Sequence, residues 1–166
     1  MPIPYKRIEL FANLAIIVVA FFIVAVGIQR FVLSRKNAPP SPVIAIGSKV
    51  ALADVDWAKN RKTLLLALQT GCHFCSESAP FYQHLIQAAA SKDVKLVAVL
   101  PQSPVEAHEY VNSLGISITD IKQSSLSSLN VSGTPTLILV DGNGQVAASW
   151  VGKLPPSKES EVIAAF

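Results

Sequence analysis

The sequence contains very little cysteine. Cys72 and Cys75 are the only two cysteines in 166 residues, and two residues separate them. A secreted scaffold stapled by disulfides would have more cysteines, spread along the chain, so that class is excluded. A close pair of this kind indicates either redox chemistry or part of a metal site.

The sequence also lacks an excess of basic residues outside its N-terminal part. Five of its 14 basic residues flank a single apolar stretch, namely Lys6, Arg7, Arg30, Arg35 and Lys36. From Asn37 onward, nine basic residues stand against ten acidic ones, and no basic cluster with interleaved aromatic residues occurs. Nucleic acid is therefore not expected as a partner, despite the formal net charge of +3.

The apolar stretch, Leu10–Ile28, contains Asn13 as its only polar side chain. A helix of that length spans about 28 Å, close to the roughly 30 Å hydrocarbon core of a bilayer. After a flank at 1–9, we therefore expect a transmembrane helix over 10–33 that lies in the lipid bilayer. A cleaved signal peptide is the alternative, but its apolar core is only ~7–15 residues long.

The charges that flank this stretch are almost balanced, so the positive-inside rule barely orients it. We expect the C-terminal domain outside the cytoplasm because disulfides persist there. The proline-rich segment 34–46 predicts a stiff, extended linker. The remainder, 47–166, is expected to form one globular domain.

Short apolar runs alternate with helical segments in this domain. Buried strands are expected at 63–68, 94–100 and 136–140, and helices at about 72–90 and 104–114. The segment Asp141–Gly144 predicts a hairpin turn into a last strand at 145–151. We further expect a strand or hairpin within 43–56, a short helix at 126–129, and a final helix capped by Ser157. This order predicts an α/β fold with a central mixed sheet.

The motif Cys72-His73-Phe74-Cys75 falls at the junction of the first strand and its helix. The N–H groups and dipole at a helix N-terminus favour an anion, which here is the thiolate that attacks disulfides. Cys75, one turn later, is placed to resolve the mixed disulfide. His73 is the candidate for tuning the pKa of the nucleophile if it is protonated, and is otherwise an exposed loop residue.

Other interpretations of the cysteine pair remain open. A structural disulfide would close a very short loop and stabilise the chain little. A zinc site needs four ligands, so His73, His84 or His108 would have to complete it, at spacings that match no zinc pattern. A peroxidase is also conceivable, although Gln69 stands where peroxiredoxins carry threonine or serine.

Over 47–166 the sequence resembles the thioredoxin superfamily. The resemblance rests on the cysteine motif after a strand, Pro80 five residues later, Gly133-Thr134-Pro135-Thr136 before an apolar strand, and Val151-Gly152-Lys153-Leu154 before a last helix. It implies a thioredoxin-like three-layer fold with a cis bond before Pro135. It also implies that the backbone of Thr134 pairs with an extended substrate.

The N-terminal anchor makes the chain most similar to the membrane-tethered, TlpA-like branch of bacterial thioredoxins. Some members reduce apocytochrome cysteines for haem attachment. The chain departs from the family pattern in two ways. Gly71 replaces the usual tryptophan, and 63–68 carries no buried acid. Glu77 is interpreted as a solvated first-turn acid. These departures leave the direction of electron flow open.

The favoured hypothesis is a thiol–disulfide oxidoreductase in which Cys72 and Cys75 are catalytic and Thr134 and Pro135 bind substrate. Its partners would be protein thiols or disulfides and a membrane or extracytoplasmic redox partner, and no cofactor is required. The alternative is a thioredoxin-fold module that binds copper or serves only as an interaction surface.

Overall fold

The computed structural model describes residues 16–23, 26 and 44–166. Within the expected transmembrane helix, residues 16–23 are helical and expose apolar side chains, and Val26 is also helical. The rest of that segment, the flank 1–9 and the linker up to residue 43 lie outside the described residues. No helix in the described part of the chain is long and apolar enough to cross a membrane.

The domain is built on a five-stranded sheet whose strands lie in the order β3-β2-β1-β4-β5. The strands are β1 (Lys62–Ala67), β2 (Val94–Leu100), β3 (Ile121–Gln123), β4 (Thr136–Asp141) and β5 (Val146–Val151). β1 and β3 run parallel to β2, whereas β4 runs antiparallel to both β1 and β5. The predicted mixed sheet is confirmed, and β3 is an edge strand that the sequence did not predict.

Four α-helices and one 3-10 helix accompany the sheet. They are α1 (His73–Glu77), α2 (Ala79–Ser91), α3 (Pro104–Ser113), the 3-10 helix (Leu126–Leu129) and α4 (Pro156–Ala164). The single helix expected over 72–90 is divided at Ser78, just before Pro80. Proline has no N–H to donate and is favoured in a first turn, which explains why a new helix begins there.

The alternation of side chains along β1 divides the core into two halves. Leu64, Leu66 and Leu68 pack with side chains of α2, α3 and α4, including Leu85 and Val111. The intervening residues of β1 pack on the opposite face, which is covered by the 3-10 helix and the segment that follows residue 44. Because β1 is buried on both faces from residue 63 onward, its residues 64–67 are all apolar.

Two local expectations are wrong. The segment 44–56 forms an isolated bridge from Lys49 to Gln145 instead of a strand or hairpin. Ser157 does not cap the last helix, because α4 already begins at Pro156 and Pro155 is its N-cap. Two successive prolines start this helix, at positions where a missing N–H costs nothing.

Candidate active site

The register of the strands brings three loops together at one end of the sheet. Ala67, the last residue of β1, pairs with Thr136 at the start of β4, and Thr136 pairs with Val151 at the end of β5. The chain that leaves β1 therefore lies beside the loop that precedes β4 and the loop that follows β5. The first of these three loops contains the cysteine motif.

Cys72 and Cys75 form a disulfide, with their Cα atoms 5.3 Å apart. Cys72 is the N-cap of α1, and its Sγ accepts a hydrogen bond from the Cys75 backbone N–H at 3.2 Å. Cys72 is partly exposed, whereas Cys75 is fully buried. An incoming sulfur can therefore reach Cys72, and Cys75 is accessible only from inside the domain.

Gly71 makes the turn that leads from β1 into the motif. Its φ is +78°, in the left-handed region, where an ordinary L-residue is disfavoured by about 1–2 kcal/mol. Glycine adopts this conformation readily because it has no Cβ. The departure from the thioredoxin pattern at this position thus has a backbone reason.

The loop that precedes β4 faces the exposed sulfur. The Thr134–Pro135 peptide bond is cis, as the resemblance implied, and Pro135 is buried. The carbonyl oxygen of Thr134 lies 3.3 Å from Sγ of Cys72. The loop is held in place because the Gly152 N–H donates to the Pro135 carbonyl at 2.7 Å. The backbone of Thr134 is therefore fixed next to the atom that would exchange disulfides.

His73 and Glu77 contact each other one helical turn apart, with Nε2 and Oε1 separated by 3.2 Å. The other oxygen of Glu77 accepts a hydrogen bond from Nζ of Lys153, also at 3.2 Å. The hydrogen bond from Lys153, with the charges of Lys153 and His73, lowers the pKa of Glu77. Glu77 is the last residue of α1, so its interpretation as a first-turn acid is wrong. The predicted tuning role of His73 stays a prediction.

Two tyrosines near the motif had no signal in the sequence. The Tyr110 hydroxyl, on α3, donates to the Cys72 carbonyl oxygen at 3.5 Å. Tyr82, on α2, is almost completely buried in the same core half as Cys75, and burial raises its pKa. Tyr82 is therefore neutral at physiological pH. Predicting that either tyrosine lies near the motif required knowing how α2 and α3 pack on the sheet. Helical periodicity alone does not give that packing.

The histidines offered as zinc ligands are dispersed. His84 lies on α2 and His108 on α3, and both are exposed. Among the residues that the structure describes, no three His, Cys, Asp or Glu side chains gather where they could hold a metal ion.

The chain was compared with known families and structures. The Redoxin family model matches residues 36–165. No curated protein matches the sequence. The thioredoxin domain of a thiol-disulfide oxidoreductase from Bacteroides vulgatus is 18% identical, with a TM-score of 0.60 over 75% of this chain and 99% of that one.

Two further solved structures have the same fold. A thiol:disulfide interchange protein from Bacteroides sp. is 18% identical, with a TM-score of 0.59 over 74% of this chain and 90% of that one. StoA from Bacillus subtilis is 18% identical, with a TM-score of 0.53 over 76% and 98% of the two chains. At such low identity these likenesses establish a thioredoxin-like fold and nothing finer.

Proposed function

Because the chain belongs to the Redoxin family and is a thiol–disulfide oxidoreductase, we propose that it exchanges disulfides with extracytoplasmic proteins while tethered to a membrane. The observation that carries the proposal is the position of the Cys72 sulfur. It is partly exposed and lies 3.3 Å from the backbone of a fixed loop at Thr134. A substrate cysteine and its own backbone can therefore be engaged at the same point.

The exchange proceeds through a mixed disulfide on Cys72. A substrate thiolate attacks Sγ of Cys72, the Cys72–Cys75 bond breaks, and the electron pair of that bond remains on Sγ of Cys75. If Cys75 then attacks Cys72, the substrate thiolate is released and the disulfide forms again. If a second substrate thiolate attacks the substrate sulfur instead, a substrate disulfide forms and the protein is left as a dithiol.

The same steps in reverse reduce a substrate disulfide, and the chemistry of the site permits both directions. Within β1 (Lys62–Ala67) no carboxylate is available to accept the proton of Cys75. The buried Tyr82 is neutral and cannot act as the base. Reduction of apocytochrome cysteines before haem attachment is our candidate process, and it rests on the similarity to the TlpA-like branch.

Docking of a protein substrate would use the backbone at Thr134. An extended segment that pairs there adds main-chain hydrogen bonds to the sulfur chemistry, which is the principle of β-augmentation. Phe74, between the two cysteines, is 54% exposed and offers an apolar contact beside the exposed sulfur. These features favour polypeptide substrates over small thiols.

The membrane tether is supported by the N-terminal apolar stretch. Its length suits a bilayer, and its helical residues 16–23 expose large apolar side chains, Phe21 at 76%. Exposed apolar surface of this kind is typical of a segment that contacts lipid or another protein. A domain carried on such a tether outside the cytoplasm would work where disulfides persist.

The test is a Cys75→Ser variant, in which the mixed disulfide on Cys72 cannot be resolved from inside the domain. We expect covalent adducts with cellular proteins on non-reducing gels, and their loss after reduction. The matched control is Cys72→Ser with Cys75→Ser, which should form none. Failure of the folded single variant to trap any partner, or stoichiometric copper on the unmodified protein, would contradict the proposal.

A further inference from the structure

The proposed docking site has two walls that belong to different parts of the chain. One wall is α1, which carries the cysteine pair. The other is the loop at Thr134, which is held by the loop after β5 through the Gly152 N–H. An extended substrate would have to reach the sulfur of Cys72 and the backbone of Thr134 at the same time. The separation of α1 from the loop at Thr134 therefore matters for docking.

Glu77 and Lys153 connect these walls. Glu77 is the last residue of α1, and Lys153 directly follows Gly152. The 3.2 Å contact between them completes a ring of contacts that starts at Sγ of Cys72 and passes through the loop at Thr134. Because this contact is made by two side chains, substitution can remove it without altering the backbone.

The carboxylate also fixes a group beside the nucleophile. Its second oxygen contacts Nε2 of His73, the residue next to Cys72. The lowered pKa of Glu77 means that the carboxylate is ionised at neutral pH, so its hydrogen bond from Lys153 is charge-assisted. The side chains of Lys153 and His73 thus converge on one carboxylate at the edge of the docking site.

We propose that Glu77 and Lys153 are positioning residues that hold α1 and the loop at Thr134 at the separation an extended polypeptide needs. This inference rests on the proposed function and assigns the contact between Glu77 and Lys153 to the recognition of protein substrates. A small thiol such as glutathione needs access only to the sulfur of Cys72. It therefore depends less on the separation of the walls.

The test compares two substrates in Lys153→Gln, Glu77→Gln and the double variant. An exposed ion pair contributes little, so we expect its loss to change a rate or an affinity by a factor of at most about five. We expect kcat/KM for a disulfide-bonded protein to fall about two- to fivefold, mainly through KM, with a clearly smaller loss for glutathione. The double variant should lose no more than Glu77→Gln alone, because that substitution already removes the contact with Lys153.

Lys95→Gln is the matched control. It removes an ion pair of similar length and exposure, Lys95 with Asp120 at 3.1 Å, near the opposite end of the sheet. This variant should keep its kcat/KM for the disulfide-bonded protein and for glutathione. Equal losses for both substrates, additive losses in the double variant, or no loss would overturn the positioning role of Glu77 and Lys153. The proposed function would still stand. An unmodified protein without any exchange activity would overturn both.

Discussion

At the scale of single residues, the two cysteines differ in exposure although they lie one helical turn apart. The buried Cys75 packs in the core half that contains Leu64 and Leu66, whereas Cys72 caps the helix at the surface. This asymmetry follows from the position of the helix on the sheet. It favours Cys72 over Cys75 as the sulfur that an incoming thiolate attacks in the proposed exchange.

Gly71 allows a prediction about the backbone that leads into the motif. A Cβ at this position would meet no atom within 4 Å, so Gly71→Ala tests the left-handed φ alone. We expect a loss of about 1 kcal/mol in the free energy of unfolding, measured by urea denaturation. Gly133→Ala, at a position without a positive φ, is the control and should lose less. Equal stabilities of the two variants would show that the turn relaxes.

At the scale of elements, the β4–β5 hairpin sets where the second wall of the docking site lies. Its turn is organised by Asp141, whose Oδ1 accepts hydrogen bonds from the N–H groups of Asn143 and Gln145, both at 2.9 Å. β5 then runs back to the active-site end of the sheet and delivers Gly152 and Lys153. A turn at one end of the sheet thus positions contacts at the other.

This turn predicts a pH-dependent contribution to stability. The hydrogen bond from the Gln145 N–H, followed by those from Asn143, lowers the pKa of Asp141 in the folded state. A lowered folded pKa contributes stability above the unfolded value, about 4, and that contribution is lost as the pH falls. The unmodified protein should therefore exceed Asp141→Asn in free energy of unfolding at pH 7, by a margin that shrinks towards pH 3.

Urea denaturation at pH 7, 5 and 3 measures this margin. Glu109→Gln, which alters an exposed carboxylate on α3, controls for the general effect of removing a negative charge. A margin that stays constant from pH 7 to pH 3 would mean that the carboxylate of Asp141 does not stabilise the turn.

At the scale of the whole molecule, the parts that could be predicted from sequence are those with a strong local pattern. β1, β2 and β4 are largely buried, and each contains a continuous apolar run, at 64–67, 96–100 and 137–140. The hairpin is specified by Asp141–Gly144, and the cysteine motif follows a strand. These elements suffice to predict a mixed sheet without its edge strand β3, and the family resemblance supplied the cis bond at Pro135.

The parts that could not be predicted depend on contacts between distant segments. β3 has three residues, too few to show an alternation of apolar and polar side chains, and is defined by its pairing with β2. The contact between Glu77 and Lys153 joins residues 76 positions apart. The hydroxyl of Tyr110 reaches the motif only because of how α3 packs. Sequence reasoning located the two cysteines that form the disulfide but not the groups around them.

The arrangement of the whole chain in the cell gives the last prediction. In the full-length protein, alkaline carbonate extraction should leave the chain in the membrane fraction. A membrane-impermeant thiol reagent should label Cys72 in intact cells after mild reduction.

Val19→Lys places a charge at the middle of the apolar stretch, which disfavours insertion by about 2.5–3.5 kcal/mol and should release the chain from the membrane. Val19→Leu keeps the stretch apolar and should behave like the unmodified protein. Labelling only after lysis would place the domain in the cytoplasm and refute the proposed location.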